Sequence, residues 1–107
     1  MTVPVPSLTL RELARVVRSK NAGPTQLTLD VFLRDAAAYT RAQTSPSLSE
    51  SSVARCYQVP PESVRRYDLP AIHAIKFSLP RRVCAGDPGD GDIYGAQQHG
   101  PLLELEL

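Results

Sequence analysis

Leu27, Leu29, Val31 and Leu33 fall on every second residue of a run in which Thr28, Asp30 and Phe32 take the places between them. Side chains alternate across a β-strand, so this period puts all four aliphatic groups on one face and requires a sheet covered on that face. The rest of the chain has to supply both the neighbouring strands and the cover.

Helical signals follow at once. Asp35 can cap a helix through Ala36, Ala37, Ala38 and Tyr39, and a Ser/Thr/Pro-rich linker over residues 44–47 separates it from a second helix. Ser47 to Glu50 reads as a capping box for that helix, which places Val53 and Tyr57 four residues apart on the side facing the sheet. Pro60 and Pro61 break the chain. Residues 64–79 then read as extended, with Pro70 at a bulge or edge and Ile75, Phe77 and Leu79 as the buried face. Upstream, Leu10, Leu13, Ala14 and Val17 have helical spacing behind a Thr9–Glu12 capping box, although Val16 and Val17 equally suit a strand. At the other end Leu103, Leu105 and Leu107 alternate with Glu104 and Glu106, which predicts a last sheet strand.

A chain of 107 residues suffices for one domain with one core, taken here as residues 1–107. Mixed strands and helices with one apolar sheet face predict an α+β fold, a two-layer sandwich. A ferredoxin-like plait with a long Gly/Asp-rich loop before the last strand is the expected architecture.

Two polar clusters are not explained by packing. In the first, SKNAGP at residues 19–24, Ser19 and Asn21 offer hydrogen bonds, Lys20 a mobile cation, and Gly23 a backbone that a ligand can approach closely. That set suits a carboxylate or carbonyl oxygen, and it also suits a plain turn. The second, GDGDIYGAQQH at residues 89–99, gathers Asp90, Asp92, Tyr94, Gln97, Gln98 and His99. Amides and an imidazole in succession are costly to bury unless hydrogen-bonded. His99 can serve as a general acid or base near neutral pH, oriented by Asp90 or Asp92, and a polar interface would use the same residue types.

Other chemistries find less support. An EF-hand needs an oxygen ligand where Tyr94 stands and a glutamate where Pro101 stands. The glycines match neither GxGxxG nor GxxxxGK[ST], and Cys56 and Cys84 lack zinc or disulfide-framework spacing. No cofactor and no dedicated metal site is expected, with weak magnesium binding by Asp90 and Asp92 the alternative left open. A net charge of +1, with only Arg65-Arg66 and Arg81-Arg82 as basic pairs, argues against nucleic acid. No run is long enough to span a bilayer and the first residues lack a basic region followed by an apolar stretch, so a cytoplasmic location is expected.

SKNAGP and GDxDxxGAQQH together resemble the signature of a small uncharacterised bacterial and fungal family that accompanies AtuA-like acyclic-terpene-utilisation proteins. The run from Leu10 through Arg18 and Gly23 to Leu33, and the later stretch from Val64 to Phe77, are also similar to the small ferredoxin-fold domain of AtuA-like proteins, without that domain's GDKG pattern. The resemblance implies an α+β unit working beside an AtuA-like large protein. It does not supply a reaction. Three readings follow. In the first, an accessory subunit lends a polar pocket for a small organic acid or acyl ligand: Lys20 and His99 are the candidate catalytic groups, and Ser19, Asn21, Gly23, Asp90, Asp92, Tyr94, Gln97 and Gln98 the candidate binding groups. In the second, a homo-oligomer closes the pocket and acts alone as an isomerase or hydro-lyase. In the third, the chain is an interaction module without chemistry.

Overall fold

In the computed structural model, which describes residues 8–23, 25–80, 100–103 and 105–107, the predicted leucine ladder forms the middle of a four-stranded antiparallel sheet. The strands are β1 (Ala14–Asn21), β2 (Gln26–Leu33), β3 (Arg65–Leu69) and β4 (Ala74–Pro80), in the spatial order β1-β2-β4-β3. Three helices accompany them: α1 (Leu10–Leu13), α2 (Ala36–Thr44) and α3 (Glu50–Tyr57); a last turn, α4 (Gly100–Leu103), packs against α1 and α3.

Register divides the side chains into rows, because residues directly opposite each other share a face. On the helix-covered face Leu27, Leu29 and Val31 stand beside Leu79, Phe77 and Ile75 of β4, and all six are buried. The helices add Ala38, Tyr39, Ala42, Val53 and Ala54, while Leu10, Leu13, Leu48, Val64 and Leu102 close the core. A slip of one residue in β2 would turn its aliphatic face to solvent, so burial itself fixes the register.

Capping sets the helix starts. Asp35 accepts the Ala38 N–H at 2.8 Å, as expected. The cap of α3 is Ser49, which accepts the Ser52 N–H at 3.2 Å; Ser47, the expected cap, instead belongs to a 3₁₀ turn over Pro46–Leu48. The Thr9–Glu12 capping box is present, and the Thr9 backbone N–H and hydroxyl hold the Glu12 carboxyl below its ordinary pKa. The box starts a helix of only one turn. From Ala14 onward the β-branched Val16 and Val17 join a strand, the alternative the sequence had left open.

The α+β class and the layer of helices on a sheet are as expected. A ferredoxin-like plait alternates as βαββαβ. The strands and the two longer helices run ββααββ, with both of these helices between two hairpins. Residues 64–79 are likewise not one extended piece: a 3₁₀ turn at Pro70–Ile72, ended by His73 in the left-handed region (φ 51°), folds them into the β3–β4 hairpin. The predicted last strand is replaced by α4 and a single bridge from Glu106 to Thr9, and Leu102, outside the predicted alternation, is the fully buried residue there.

Leu29 is wholly buried at the centre of this sheet. Leu29→Ala is expected to lower unfolding free energy by about 2–5 kcal/mol, through lost apolar transfer and a residual cavity, as read by urea denaturation.

Candidate functional site

The first cluster straddles the end of an edge strand. Ser19 pairs with Leu29 and Asn21 with Leu27, so both point to the helix-covered face. Lys20 pairs with Thr28 and points to the opposite face, where it is exposed. Ser19 is 7% exposed and Asn21 half-buried, and each engages a partner. The structure therefore brings Ser19 and Asn21 together and separates Lys20 from them, because adjacent residues of a strand cannot share a face. On that opposite face the Thr28 hydroxyl donates to the Lys20 backbone oxygen at 3.4 Å.

The β1–β2 turn closes with the Ala22 N–H donating to the Gln26 carbonyl at 3.0 Å. Gly23 lies there at φ +98°, and a Cβ built on it would meet nothing within 4 Å. Glycine is thus needed for its backbone conformation rather than for a close approach. Beside this turn Gln26 pairs with Pro80, the last residue of β4. From that point the chain leads toward the second cluster; Asp90, Asp92, Tyr94, Gln97, Gln98 and His99 lie outside the described residues. Gly100, directly after His99, opens α4.

Two other polar groupings were not singled out in the sequence. At the β3 edge the Arg66 guanidinium donates to Asp68 (Nε to Oδ1, 2.7 Å) and to the carbonyls of Leu48 (2.9 Å) and Gln43 (3.0 Å). It ties β3 to the end of α2 and the following turn, a structural role that nothing local in the sequence announces. A shallow cleft of about 300 Å³ is lined by Ser47, Ser52, Arg55, Cys56 and Leu105. Its hydroxyls are engaged: Ser47 donates to the Glu106 carbonyl at 2.6 Å and Ser52 to the Pro46 carbonyl at 2.8 Å. Burial pushes the Cys56 thiol above its ordinary pKa, the reverse of what an activated nucleophile requires. This cleft holds the C-terminal segment in place and offers little reactivity.

Tyr39 is buried against His73, with ring centroids 6.0 Å apart, and its hydroxyl has no hydrogen-bond partner among the described residues. Burial raises the phenol pKa, so Tyr39 does not serve as a base. Among the described residues no three His, Cys, Asp or Glu side chains gather to hold a metal ion, and no helix is long and apolar enough to cross a membrane.

Two substitutions test this description. Gly23→Ala should cost about 1–2 kcal/mol through left-handed strain alone, visible as a lower urea midpoint. Tyr39→Phe should raise stability by about 1 kcal/mol, because it removes an unsatisfied buried hydroxyl, and a thermal melt reads the change.

The chain belongs to the DUF4387 family, a domain of unknown function, whose family model matches residues 10–106. No curated protein and no solved structure matches it.

Proposed function

We propose that this DUF4387 chain is the small accessory subunit of an AtuA-like large protein, and that it lends a polar pocket to the binding or conversion of an organic acid or acyl substrate. The observation that carries the reading is the Gln26–Pro80 pair beside the β1–β2 turn. Pro80 ends β4 at the same end of the sheet at which Ser19 and Asn21 sit, and residues 89–99 follow it in sequence.

In this reading Ser19 and Asn21 hydrogen-bond a carboxylate or carbonyl oxygen, and the amides of Gln97 and Gln98 with Tyr94 complete the polar lining. His99 moves a proton, and Asp90 or Asp92 orients its ring. Lys20, on the other face, belongs to the surface turned toward the partner rather than to the pocket. A domain of this length has little volume to enclose a substrate alone, and pockets form readily where two chains meet.

Co-expression with an AtuA-like large protein tests the proposal. The two chains should comigrate on size exclusion at micromolar concentration, and mass spectrometry of the complex should find a bound small acid. Asn21→Ala and Gln98→Ala should each weaken retention of that acid about tenfold, the loss of roughly one charge-assisted hydrogen bond, with comigration preserved. His99→Ala should abolish conversion while binding persists. Failure to comigrate overturns the accessory role. Variants that shift only thermal stability would assign both clusters to structure.

A further inference from the structure

The sheet face opposite the helices is stratified by register. One row across the four strands is Leu69–Ala74–Phe32–Val16, the next Tyr67–Lys76–Asp30–Arg18, and the third Arg65–Ser78–Thr28–Lys20. The first row is apolar, with Ala74 buried and Phe32 half-buried as its floor and its ends open: Val16 is 38% exposed and Leu69 40%, with Tyr67 of the next row at 48% and Ile72 in the adjoining turn at 55%. Scattered exposed apolar residues need no explanation, but Leu69, Tyr67 and Ile72 gather at β3 and its turn, and the row runs from Leu69 over Ala74 and Phe32 to Val16, a grouping that marks a contact surface. The other two rows are cationic. Arg18, Lys20, Arg65 and Lys76, with Arg15 near the Phe32 ring, stand with one carboxylate among the described residues of these rows, Asp30.

We infer that this face docks an acidic amphipathic helix of a second protein, an assignment that rests on the accessory-subunit reading and names the partner's contact. The dimensions agree. Four strands about 4.8 Å apart make the apolar row about 14 Å long, the length of roughly ten helical residues. Successive rows lie two residues apart, about 7 Å along the strands, so a helix of about 10 Å diameter seated on the apolar row places one flank over Arg18 and Lys76. Carboxylates on that flank find cations, and among the described residues of these rows only Asp30 opposes them.

A second copy of this chain is a poorer occupant, since a two-fold axis along the strands would set the cationic rows against each other, and one along the apolar row would leave them without carboxylate partners. Single-stranded nucleic acid is poorer too. Such ligands need successive open aromatic faces. Here the Arg18 guanidinium lies 4.9 Å from the Phe32 ring centre and Arg15 5.9 Å, which leaves Tyr67 as the open ring beside aliphatic Leu69 and Val16.

The test uses the full chain, labelled with nitrogen-15, and three probes. These are a synthetic leucine/glutamate amphipathic helix of about four turns, the same helix with lysine for glutamate, and an oligothymidine. The acidic helix should shift the amides of Val16, Arg18, Phe32, Leu69 and Lys76 and bind at least about tenfold more tightly than the lysine version. Lys20→Glu combined with Arg65→Glu, both at exposed positions, should weaken it about tenfold, and Leu69→Gln should weaken it independently. Equal binding of both helices, tighter binding of oligothymidine, or sedimentation as a dimer through this face overturns the inference. Comigration with the AtuA-like protein separates the two ideas. If it fails while the acidic helix still binds, the accessory role falls and this face stands. If it persists undiminished in the Lys20→Glu/Arg65→Glu chain and that chain's parent ignores the acidic helix, this face falls and the accessory role stands.

Discussion

The ladder that runs from β1 through β2 to β4 governs everything else in the molecule. Leu27, Leu29 and Val31 each have an aliphatic or aromatic neighbour on β4 and are almost wholly withdrawn from water. At about 25 cal/mol per Å² of apolar surface, burying each such side chain favours the fold by roughly 1.5–3 kcal/mol. That gain is available in one register only. Once the register is set, the direction of every other sheet residue follows, including those of the first polar cluster, whose three side chains from Ser19 to Asn21 have no freedom to converge.

Around the ladder, polar contacts tie the layers rather than create them. Arg66 reaches from β3 to Leu48 and Gln43, and Arg41 donates to the main-chain oxygen of Leu107 at 2.9 and 3.1 Å. Leu105 and Leu107 are fastened to the opening residues through backbone bonds with Leu10 and Leu8. Both ends of the described fold are thereby held at one side of the helical layer. The sheet's far face is left to Val16, Phe32, Tyr67 and the cations around them.

Much of this was legible from residue order alone. The β2 alternation, the Asp35 cap and the buried Ile75, Phe77 and Leu79 are local signals, and local physics decides them. The ambiguities had tertiary answers. Val16 and Val17 are extended because β2 offers a ladder to pair with, and the leucines near the end became a turn because Leu102 had a core position to fill. The Pro70 segment became a hairpin because β3 had to return beside β4. Within the candidate site, residue types were legible but their faces were not assigned: strand status at Ser19–Asn21 is what separates Lys20 from its neighbours.

The irregularity at the start of β1, where the register shifts between Ala14 and Val16, also bears on how this chain avoids unwanted company. Among the described strands β1 is an edge, and a straight edge is a template on which a foreign strand can grow. A bulge there bends the backbone and increases its twist, while Arg15, Arg18 and Lys20 surround the border with like charge. Sheet extension across that border is therefore disfavoured, which protects the chain from fibrillar pairing and leaves broadside contact as the less obstructed route to assembly.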